Sequence, residues 1–142
     1  MRVTLGILAL LVGSLGLVGQ LISAIDFRLA QKLGLQEKDD ETDHLYRQLE
    51  LNTARVDVLV LWTLVVAGAL MVIDHSWWPW MALIAGGVHL DAGLREIAKG
   101  RGLTTEGIRV GSPTEVRLGI GFLTLLAAVG LTLIVYTLTI VT

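Results

Sequence analysis

The sequence predicts an all-α membrane protein, a bundle of four transmembrane helices with both the N-terminus and the C-terminus outside. Three observations predict it. The 142 residues are 54% hydrophobic, with a mean hydropathy of +0.70, well above soluble domains. Four apolar segments recur along the chain. Ten of the eleven Lys and Arg residues fall in the two connections that such a bundle would place on one side.

The first segment, residues 3–25, carries no charge over 23 residues. A hydrocarbon core of ~30 Å needs about 20 helical residues, so it is long enough to span. Its length also argues for a retained span over a cleaved signal peptide. The second segment covers about 56–73 and has one acid, Asp57, near its start. The third, about 77–94, is the least regular. Its uncharged part ends at Leu90, and His89 and Asp91 must sit inside it for a full span. The short Asp74–Pro79 connection makes segments two and three an antiparallel hairpin, with Pro79 in the first turn. The fourth covers about 116–141 and is preceded by Ser112, Pro113, Thr114 and Glu115. Ser at the N-cap, Pro at the first helical position and Glu three residues on is a strong start signal. The whole of 1–142 is therefore one integral membrane domain.

The connection at about 26–55 holds Arg28, Lys32, Lys38, Arg47 and Arg55. That at about 95–115 holds Arg95, Lys99, Arg101 and Arg109, with Arg117 at its far edge. The positive-inside rule places both in the cytoplasm, and the protein in a cytoplasmic (inner) membrane. Trp77, Trp78 and Trp80, with Tyr136 at a similar level, then form an outer aromatic belt. In the first connection, residues 26–35 extend the first helix for two turns and stop at Gly34. Residues 37–43 are densely acidic but lack the ligand order and mid-loop Gly of an EF-hand. They read as a solvated linker, and helix resumes near Asp43, ahead of an exposed His44.

Several function classes are excluded. A net charge of −2 does not suit a nucleic-acid binder working through a basic surface. The absence of cysteine removes disulfides, thiolate metal sites and cysteine nucleophiles. No hydrolase or metalloprotease motif occurs. A bis-histidine haem needs a second imidazole at the depth of His89, and His75 lies in the outer turn. No cofactor or metal is expected, and the protein is read as non-enzymatic.

Small residues fall at heptad-like spacing. Gly6, Ala9, Gly13, Gly16, Gln20 and Ser23 line one face of the first helix. Ala82, Gly86, His89, Gly93, Glu96 and Gly100 line the third, and Gly121, Thr124, Ala128 and Thr132 the fourth. Such stripes permit the close approach that substitutes in lipid for a hydrophobic drive. They predict tight packing within the chain, and self-association or docking with another membrane subunit.

His89 lies nine residues beyond Trp80, about 14 Å in at ~1.5 Å per residue and near the midplane. Asp91 falls on nearly the opposite face, where Arg95 is its i,i+4 partner. Arg55–Glu96 and Asp57–Arg95 contacts across the hairpin, and a bond from His89 to Gln20, would make these residues a structural clamp. Alternatively, intramembrane ionisable groups mark an ion or proton path. The sequence thus yields two functional expectations: an accessory or assembly subunit acting by close helix packing, or a small proton- or cation-coupled transporter or channel.

Overall fold

A computed structural model describes residues 1–141. Among them the chain is all-helical, with α1 Arg2–Ile25, α2 Phe27–Lys32, α3 His44–Val58, α4 Trp62–Val72, α5 Trp78–Thr105 and α6 Pro113–Val141. Three helices are long and apolar enough to cross a membrane: α1, the α3–α4 run over His44–Val72, and α6. α5 has the length, at 28 residues, but its apolar part is interrupted by His89, Asp91 and Arg95.

The first helix does not run on to Gly34 as its sequence suggests. Asp26 is extended, with φ −141° and ψ 90°, and its carboxylate accepts from the Leu29 amide at 2.9 Å. An N-cap placed directly after a span ends one helix and starts another. α2 then stops at Gly34, whose φ of +71° lets the Leu35 amide reach the Ala30 carbonyl at 2.9 Å, a Schellman closure. Asp74 closes α4 in the same manner. It takes the left-handed φ of 57°, at a cost that only Gly avoids, and the His75 amide bonds the Leu70 carbonyl at 3.0 Å. Arg2 pairs with Asp74 across this end.

α3 and α4 are separated by a tightened turn at residues 59–61. The Thr63 hydroxyl donates to the Val60 carbonyl at 2.7 Å and the Trp62 indole to the Leu59 carbonyl at 2.8 Å. These side chains occupy carbonyls that amides four residues on would otherwise use, and such insertion is a recognised cause of kinks. The α6 start is a reciprocal capping box. The Glu115 amide donates to the Ser112 hydroxyl at 3.3 Å, and the Ser112 amide to the Glu115 carboxylate at 3.1 Å.

α1 packs chiefly on α4, α5 on α6, and α4 on α5, so the long helices stand in the order α1, α4, α5, α6. Both outer pairs meet at backbone distance. A Cβ at Gly68 would lie 2.6 Å from the Gly6 carbonyl oxygen, and one at Gly130 would lie 2.7 Å from the Gly86 carbonyl oxygen. Gly13 faces Leu64, and Gly93 faces the Leu123 carbonyl and Ala127. Gly16 reaches Phe122 of α6. Gly68 and Gly130 do not belong to the small-residue stripes read from the sequence. Gly121 does, yet a Cβ there would meet nothing within 4 Å. Thr124, Ala128 and Thr132 share its exposed face. α6 has small residues on two faces, and the face carrying Gly130 is the one that docks inside the chain.

The core between these pairs is formed by Leu64, Ala67, Met71, Ala82, Leu126 and Leu133, among others. At the end carrying the tryptophans, Trp78 and Tyr136 rings lie 6.1 Å apart between centroids. Trp77 and Trp80 stay exposed.

Candidate functional site

His89 is wholly enclosed, at 0% exposure. Its Nδ1 lies 2.8 Å from the Ala85 carbonyl one turn back on α5, and therefore donates to it. Nε2 is buried without a partner. The expected bond to Gln20 is not formed, and the Gln20 Oε1 is likewise buried and unpartnered. The histidine is oriented by its own helix.

Asp91 lies exposed and pairs with Arg95 at 3.2 Å. Arg95 is engaged by this neighbour one turn back on its own helix, and the expected Asp57–Arg95 ion pair is not formed. Asp57 is 5% exposed and forms no ion pair among the described residues. Arg55 is exposed, and it does not meet Glu96. The cation that joins the hairpin is Lys99. Its ammonium contacts Glu50 at 2.8 Å and the Thr53 hydroxyl at 3.3 Å, and it pairs with Glu96 on its own helix. Lys99 is 22% exposed, and Glu50 and Glu96 are 14% exposed each. A largely buried cation between two acids is a structural clamp joining α3 to α5, with Asp57 further along the same side of α3.

The cluster continues into the first connection. The Tyr46 hydroxyl donates to the Glu37 carboxylate at 3.3 Å. Burial pushes the Glu37 carboxyl up to about 6, and the negative charge of Glu50 adds to this. The residues 37–43 are not a free linker. The Asp39 carboxylate accepts from the Gln31 amide at 2.8 Å and pairs with Arg47 at 2.6 Å. Asp43 receives the Arg109 amide at 2.8 Å and its guanidinium at 3.1 Å. These contacts hold the Asp39 and Asp43 carboxyls below the usual carboxylate range. With the Thr42–Val110 bridge, the two connections form one stitched cap. No group of His, Asp or Glu among the described residues is arranged to hold a metal ion.

The raised Glu37 carboxyl has a measurable consequence. A folded-state value above the unfolded one makes the charged form a burden, present above about 6 and relieved as pH falls toward 4.5. Stability should therefore rise on acidification through that window. Glu37→Gln should flatten the rise and stabilise the protein at neutral pH by about 1 kcal/mol. Denaturant titrations in mixed micelles at several pH values check this, and an unchanged slope in the variant would refute it.

Sequence reasoning missed Glu50 and Lys99. The i,i+3 spacing of Glu96 and Lys99 was a visible signal on α5, but Glu50 lies 49 positions from Lys99. The chain matches no family model, no curated protein and no solved structure, so its function is argued from these residues.

Proposed function

We propose that the chain is a four-span protein of a cytoplasmic membrane, both termini outside, acting as a non-enzymatic packing subunit that self-associates. In this reading α5 provides the remaining span over about 77–94, and its charged extension stands in the cytoplasm with the stitched cap. The ten basic residues of the two connections support that orientation.

The observation that carries the functional reading is how the small residues are used. Gly6, Gly13, Gly86 and Gly93 are occupied within the chain by α4 and α6. The stripe of Gly121, Thr124, Ala128 and Thr132 is left on the outer face of α6. In lipid such a face favours another helix, and the proposed occupant is a second copy. His89 fits this role as an enclosed packing residue. Transport is the second reading, and it draws on the largely buried Asp57–Glu96–Lys99 end of the hairpin.

Single-molecule photobleaching tests the packing role, with a dye on a cysteine at the exposed position 106 of the cysteine-free chain in liposomes. Wild type should appear as pairs at low density. Gly121→Leu and Ala128→Leu should weaken pairing about tenfold or more while leaving helicity and stability unchanged. Wild type that stays monomeric, or pairs indifferent to both substitutions, would sink the proposal. Proton or cation flux lost on Glu96→Gln would favour transport instead.

A further inference from the structure

α2 departs from α1 just past Ile25, which is 82% exposed at the end of the first apolar helix. Along α2 and at its C-cap, Leu29 and Leu33 are exposed, and Arg28 and Lys32 precede them. Arg28, Lys32 and Lys38 line an open cleft of about 410 Å³ together with Gln31 and Asp39. Asp39 is already committed to Gln31 and Arg47. None of the three cations forms an ion pair with any described residue. The cleft thus sets three cations against one carboxylate, Asp39, which is shared with Arg47, and Leu29, Leu33 and Leu35 of the same segment are exposed.

A soluble anion would satisfy the charges and leave the leucines in water. An anionic phospholipid satisfies both, since its phosphate meets the cations and its acyl chains cover the exposed leucines of the same segment. We infer that the cleft formed by Arg28, Lys32 and Lys38 binds the phosphate headgroup of an anionic phospholipid from the adjoining leaflet. This rests on the reading of α1 as a membrane span that ends at Ile25. The guanidinium of Arg28 supplies planar two-point contact to phosphate oxygens, and the two ammonium groups act as point charges.

Native mass spectrometry of the full chain, released from nanodiscs of phosphatidylcholine with a minor share of phosphatidylglycerol, tests the inference. The test variant is Arg28→Gln/Lys32→Gln/Lys38→Gln. The control removes three other exposed cations, Arg55→Gln/Arg101→Gln/Arg117→Gln. Wild type and control should retain phosphatidylglycerol in preference to phosphatidylcholine. The test variant should lose that preference by about tenfold or more, since each basic group at a membrane surface contributes roughly fivefold. Equal retention by the two triple variants would overturn the site. Displacement of the lipid by millimolar inorganic phosphate would also overturn it, in favour of a free-anion site. Co-flotation with liposomes after alkaline washing is scored separately. A chain that washes off refutes the membrane reading itself, whereas one that stays inserted without lipid preference refutes only the cleft.

Discussion

Leucine at position 130 should separate α5 from α6 and unfold the bundle at denaturant levels the wild type withstands. A Cβ at Gly130 would stand 2.7 Å from both the Gly86 carbonyl oxygen and the Leu90 amide nitrogen. Those are backbone atoms, and they cannot rotate aside as a side-chain tip can. Overpacking of this kind costs about 1–3 kcal/mol for added methylenes and more where backbone must shift. A loss of about 3 kcal/mol or more is expected for Gly130→Leu. Gly68→Leu should behave alike, because its Cβ would meet the Gly6 carbonyl at 2.6 Å. The comparison that isolates the cause is Gly121→Leu, on the same helix as Gly130 but in open space. Its unfolding midpoint should match wild type. Sodium dodecyl sulfate titration followed by circular dichroism measures all three, and equal stability of the Gly130 and Gly121 variants would refute the account.

Lys99→Met should be nearly as damaging for a different reason. The ammonium is the only cation contacting Glu50 and Glu96 among the described residues, and both acids are 14% exposed. Removing one partner from a largely buried group of charges strands the others in a poorly solvated place, typically at about 3–5 kcal/mol. Incomplete burial here brings the expectation to about 3 kcal/mol. Methionine keeps most of the stem's apolar contact, so the loss reads the charge. Combining Lys99→Met with Glu50→Gln and Glu96→Gln should return more than half of the lost stability, since the stranded charges go with the cation. If the triple variant is no more stable than Lys99→Met alone, the damage lies in packing, and the clamp is not electrostatic.

Neither of these two sites is legible in the sequence, although much of the framework around them is. The long apolar helices are legible because span length and charge exclusion are properties of a continuous stretch. So are the Ser112–Glu115 cap and the Gly34 stop, which depend on residues three to five positions apart. The break at Asp26 was harder to see. The same residue could continue a helix or cap a new one, and the choice depends on whether its carboxylate turns back to the Leu29 amide. The turn at residues 59–61 depends on Trp62 and Thr63 bonding carbonyls three residues before them, an option no hydropathy pattern encodes. Gly68 and Gly130 escaped the stripe reading because a small residue becomes a contact only where a neighbouring helix crosses it. Lys99 and Glu50 meet only when α3 and α5 stand side by side. Arg95 was the more obvious partner for Asp57 by depth, but its i,i+4 neighbour Asp91 competes within one helix and wins.

The stitched cap also orders events in time. Asp43 and Arg109 are 66 positions apart, which at common translation rates is roughly 3–13 s of synthesis. Throughout that interval the first connection has been made but lacks the residues that hold its end in place. The Arg109 contacts to Asp43 and to the Asp40 carbonyl, and the bridge from Thr42 to Val110, arrive only as the last helix begins to emerge. The shape of the early loop is therefore completed by the connection between α5 and α6, and a nascent protein halted before residue 109 carries that loop unfastened.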